Sequence, residues 1–214
     1  MTDPLSRLPR WLAPLAILGA LACATESPMG VRPMDALRSG GYSDPIFLET
    51  AAGAPSIATT PVSFWAVKGK DREAFIWYNA EPGENDSTKL VRFRVTKKSL
   101  CKRPDGSNIA NGDSLLITMT VVDPVRQQVK FEPAGLQFCS GKPAKLTMWY
   151  EQADHDFDDD GDIDAADLTW ESFLSIWKQE TPTSPWEKVT TVLQDDNDEA
   201  EASITGFTSY LVAY

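Results

Sequence analysis

The chain has 214 residues, with 31 acidic side chains against 20 basic ones and a net charge of −11. That charge argues against nucleic acid as a partner, and against an anionic bilayer bound through the protein surface. One histidine and three cysteines lack the spacing of a zinc site, and no Gly-rich phosphate loop is present.

Residues 1–22 read as an export signal. Arg7 and Arg10 supply a basic start, and Trp11 to Ala22 is a short apolar run without a charge, expected to be the signal helix. It is shorter than the ~20 residues that span a bilayer, which suits a signal segment. The segment ends in Gly19-Ala20-Leu21-Ala22-Cys23, which resembles the bacterial lipobox. The resemblance implies that Cys23 becomes the lipidated first residue of the mature protein. Ala24 resembles the signal for sorting to a Gram-negative outer membrane. The alternative is ordinary signal-peptidase cleavage after Ala22 or Ala24. Residues 23–60 are rich in Pro, Gly, Ser, Thr and Ala without apolar periodicity, which predicts a disordered tether. Within it, Pro45 to Leu48 could dock locally. One domain is expected over 61–214.

That domain reads as all-β. Pro61–Lys68, Glu73–Asn79 and Leu90–Val95 alternate apolar and polar residues, the period of a half-buried strand. In the third run Val91, Phe93 and Val95 face one way, and Arg92 and Arg94 the other. Pro104-Asp105-Gly106 and Asn111-Gly112-Asp113 are turns. Ser114–Val122, Val129–Phe131 and Lys145–Tyr150 continue the series. Leu174–Lys178, Trp186–Leu193, Ala200–Ile204 and Tyr210–Ala213 complete it. About ten short strands at this spacing predict an antiparallel β-sandwich. With Cys23 lipidated, Cys101 and Cys139 remain, and an oxidising compartment lets them pair; two buried free thiols are the alternative.

Between the strands lies Asp156 to Leu168, D-F-D-D-D-G-D-I-D-A-A-D-L. Asp156, Asp158 and Asp160 stand at loop positions 1, 3 and 5, Gly161 at 6, Asp164 at 9 and Asp167 at 12. Carboxylates two residues apart converge on one ion only if the chain coils tightly, and Gly161 permits that turn. Asp162 would offer its backbone carbonyl, and Ile163 would point into the core. A short helix over 165–173 should follow. The pattern resembles one half of a dockerin, or an EF-hand loop with Asp167 in place of the usual Glu. It implies Ca²⁺ held by Asp156, Asp158, Asp160, Asp162, Asp164 and Asp167. The alternative is a solvated acidic loop. A single loop makes the dockerin's own docking function a poor expectation.

The second half carries another resemblance. Phe131-Glu132-Pro133-Ala134-Gly135-Leu136-Gln137-Phe138, then Lys142 to Met148, is similar to a strand pair of ZU-type β-sandwiches, as is the close, Ile204 to Val212. The resemblance spans 105–214 and implies a sandwich fold. Some eukaryotic relatives cut their own chain at a His-Phe-Ser motif. Here the matching residues are Gly206, Phe207 and Thr208, without the His, so the chain is expected to stay intact.

The expected function is therefore a calcium-binding, lipid-anchored protein of the bacterial cell envelope, extracytoplasmic and outer-membrane associated, binding or scaffolding an envelope protein or polysaccharide. No catalytic residues stand out. His155 alone cannot build a Ser-His-Asp triad, although a hydrolase with an unrecognised site is a further alternative. A carbohydrate-binding module is another, with Trp65, Trp77 and Tyr78, or Trp149 and Tyr150, forming a stacking platform.

Overall fold

The computed structural model describes residues 45–80 and 87–214. Alternation decides where each strand faces, because successive side chains leave opposite sides of a strand. Strand β3 (Lys89–Val95) buries Val91, Phe93 and Val95 and turns Arg92 and Arg94 outward. Strand β12 (Glu199–Ile204) likewise buries Ala200, Ala202 and Ile204.

Two antiparallel sheets result. The larger has the order β1 (Val62–Val67), β5 (Ser114–Asp123), β6 (Gln128–Glu132), β13 (Ser209–Ala213), β9 (Ser175–Gln179), β10 (Glu187–Lys188). The smaller has β11 (Thr191–Gln194), β12, β8 (Ala144–Trp149), β3 and β2 (Arg72–Trp77). A short ribbon pairs β4 (Leu100–Lys102) with β7 (Gln137–Phe138). The expected antiparallel β-sandwich is thus the observed fold.

Its centre is aromatic. Phe93 of the smaller sheet meets Phe131 of the larger at 5.0 Å between ring centroids, Phe207 at 5.4 Å and Phe138 at 6.0 Å. These rings meet tilted or edge-on, as their quadrupoles favour.

Four features depart from the expectations. The run Trp186–Leu193 is two strands in different sheets. The chain leaves β10, and Thr191, the first residue of β11, donates its hydroxyl back to the Val189 carbonyl. The ribbon of β4 and β7 is an addition to the expected strands; the expected disulfide between Cys101 and Cys139 is present and ties it, with Cα atoms 5.1 Å apart. The helix, α1 (Ala165–Glu171), stops short of Phe173.

The fourth departure is the tether. From residue 45 the chain is a strap laid on the sandwich. Phe47 pairs with Ala213, Thr50 with Ala153 and Ile57 with Tyr78. Leu48 is buried, and Phe47 meets Trp186 edge-on at 5.8 Å. The strap satisfies backbone groups that neighbouring segments would otherwise leave open, such as Asn79 N–H donating to the Ser56 carbonyl at 2.8 Å. The folded body therefore begins before residue 61. The signal segment, Cys23 and tether residues 23–44 lie outside the described residues.

Candidate metal centre

The acidic loop leaves β8 through Tyr150, which is fully buried, and enters α1 at Asp164. Both ends are held. The Tyr150 hydroxyl donates to Glu171 Oε1 at 2.8 Å, linking the end of β8 to the last turn of α1. Burial first, then the Glu171 carboxylate, pushes that phenol well above its ordinary pKa. Phe157 is buried against Tyr214, and Trp170 meets the same ring edge-on at 5.7 Å.

Within the loop, aspartate oxygens organise the backbone. Asp156 accepts from the N–H groups of Asp160 at 3.1 Å and Gly161 at 2.9 Å, drawing the chain into a turn. Gly161 adopts φ +100°, where a side chain would be strained. Asp164 caps α1 by accepting from Ala166 N–H at 2.6 Å, and Asp167 completes the capping box by accepting from Asp164 N–H at 2.7 Å. The other Asp167 oxygen accepts from Phe157 and Asp158 N–H, so this one buried carboxylate joins both ends of the loop.

Three of the six expected ligands converge. Asp156, Asp158 and Asp167 bring carboxylate oxygens within 4.8 Å of one another. Asp160, Asp162 and Asp164 stand outside that cluster. Asp160 accepts from Asp162 N–H, Asp162 is exposed, and Asp164 is spent on the cap. Most of these oxygens are explained by the loop's own hydrogen bonds. One Asp158 oxygen is not: the residue is only 6% exposed, and its Oδ1 has no hydrogen-bond partner. An acceptor buried without a donor is costly. Burial, then Asp160 and Asp167, hold the Asp158 carboxyl above the usual range; Asp160 and then Asp164 do the same to Asp162. A hard dication would relieve both the missing partner and the repulsion, and oxygen-only ligation suits Ca²⁺.

Ile163 does not enter the core. It is 70% exposed, as is most of Leu168. Nor could sequence pattern reveal the strap beside the loop, where Asp154 N–H donates to the Glu49 carbonyl at 2.8 Å and Ala51 N–H to Gln152 at 2.9 Å. The only hint was the apolar Ile46-Phe47-Leu48 in an otherwise small and polar segment.

The other candidate groups scatter. His155 lies between the rings of Tyr150 and Phe157. The Thr208 hydroxyl donates to the Gln179 carbonyl. Tyr78 and Tyr150 are buried and cannot serve a platform; Trp65 is exposed on β1 of the other sheet. Trp77 and Trp149 share a cleft on the smaller sheet, with the Lys89 ammonium 5.9 Å and 5.1 Å from their ring centroids.

No family model, no curated protein and no solved structure matches the chain.

Proposed function

We propose that this chain is an exported calcium-binding module of the bacterial cell envelope, anchored by lipid on Cys23, and that it acts by binding or scaffolding rather than by catalysis. One observation carries the calcium reading: the buried Asp158 oxygen that lacks a donor and faces the carboxylates of Asp156 and Asp167. These three residues would hold the ion, and Asp160 and Asp162 would add oxygens from the solvent side. The ion's chemistry here is structural, cross-linking a loop that otherwise repels itself. Export is supported by the Cys101–Cys139 disulfide, since such bonds persist in oxidising compartments.

Millimolar Ca²⁺ is expected to stabilise the protein by about 1–2 kcal/mol at a few-fold to tens-fold excess over Kd. Thermal melts in calcium and in chelator measure this. The Asp158→Asn variant keeps the side chain's shape, removes its charge and should lose the response. Identical wild-type melting temperatures in the two buffers would sink the reading. Titration calorimetry should also favour Ca²⁺ over Mg²⁺, because the loop offers a flexible set of oxygens rather than a strict octahedron.

A second reading, saccharide binding, is favoured by the cleft of about 430 Å³ that Trp77 and Trp149 line together with Lys89, Arg92 and Glu151. The half-buried indole of Trp77 and charged hydrogen-bonding groups in one cleft, backed by the buried Trp149, suit a polyol. Saturable retention on polysaccharide, lost in Trp77→Ala, is the expected result; no retention by the wild type removes this reading.

A further inference from the structure

We infer that the calcium loop is the clamp that seats the N-terminal strap, so that ion binding governs how firmly residues 45–51 are held on the sandwich. The inference rests on the calcium reading above and adds a regulated element to it.

The two segments share a joint. Asp154, two residues before Asp156, donates its N–H to Glu49, and Ala51 donates to Gln152, with Thr50 bridging Ala153 between them. The strap is therefore bonded to the chain that leads into the first ligand. A second route runs through the core. Phe157, which follows Asp156, packs on Tyr214, and Tyr214 N–H donates to the strap carbonyl of Ile46 at 3.1 Å. The position of Phe157 is in turn fixed by Asp167, which accepts from its N–H. Drawing Asp156, Asp158 and Asp167 together around a cation thus stiffens both the floor and the edge on which the strap lies. Without the cation, mutual repulsion among these carboxylates works against the same joint. One further attachment of the strap, the Thr50 hydroxyl donating to the Pro124 carbonyl at 2.9 Å, does not involve the loop. It gives a handle on the strap that leaves every ligand untouched.

Coupling between two sites is reciprocal. Calcium should tighten the strap, and loosening the strap should weaken calcium. Hydrogen exchange of the full chain, in CaCl₂ and in chelator, reads the first half. The amides of Thr50, Ala51 and Asp154 are expected to exchange at least tenfold more slowly with calcium, while amides of β5 and β6 change little. In Asp158→Asn they should exchange at the chelator rate in both buffers. Calorimetry reads the second half: Thr50→Val should raise the Kd for Ca²⁺ by roughly five-fold or more, within the usual range of coupling. If calcium binds but the three amides and the Thr50→Val affinity are unchanged, the clamp is overturned and the calcium reading stands. If calorimetry detects no binding at all, both fall together.

Discussion

Replacing Asp167 with alanine is expected to cost about 3–5 kcal/mol, more than removing any other carboxylate of the loop. One carboxylate accepts from three backbone N–H groups, those of Phe157, Asp158 and Asp164. The substitution strips α1 of half its capping box, worth about 1 kcal/mol. It also orphans buried donors at about 1–3 kcal/mol each. The damage cannot stay local, because Phe157 within the loop and Trp170 in α1 belong to the core. For a domain of this size the melting temperature should fall by roughly 10 °C. The Asp167→Asn variant separates two roles. It retains one oxygen for Phe157 and Asp158 but presents an amide nitrogen where Asp164 N–H needs an acceptor, and it lacks the charge for a cation. It should lose less stability than alanine and still lose the calcium response. An alanine variant melting within about 2 °C of wild type would contradict this account.

Removing the disulfide with C101S/C139S is the other large effect. The bond closes a loop of 38 residues, and the chain-entropy estimate for such a loop is about 4 kcal/mol. The ribbon it ties is short, since β4 has three residues and β7 two. Leu100 and Phe138 beside the two cysteines are buried in the core, so freeing the ribbon also exposes apolar surface. Denaturant unfolding of the double variant should show a lower midpoint, and reduction of the wild type should reproduce it. A loss under about 1 kcal/mol would mean that packing alone fixes the ribbon.

Much of this fold was legible in the chain. Val91-Phe93-Val95 against Arg92-Arg94 announced its own faces, because a strand's period is local and needs no partner to be read. The tight acidic turn was also legible, since the turn at Gly161 and the start of α1 at Ala165 are set within a dozen residues; the cap that Asp164 makes went unread. Local spacing could not say which oxygens face inward. Asp164 and Asp167 obey a capping box as well as a calcium pattern, so the same letters serve two purposes; only burial singles out Asp158. The short strands β4 and β7 carried too few residues for a period, and their pairing is a long-range event.

What the sequence alone determined is whatever neighbouring residues settle between themselves: alternating faces, the tight acidic turn, the start of α1. Only the tertiary structure decided that residues 45–60 lie on the sandwich, that β4 pairs with β7, and that Ile163 stays in water. Each of those outcomes depends on segments far apart in the chain meeting, or failing to meet, and such encounters leave no periodic trace in the letters.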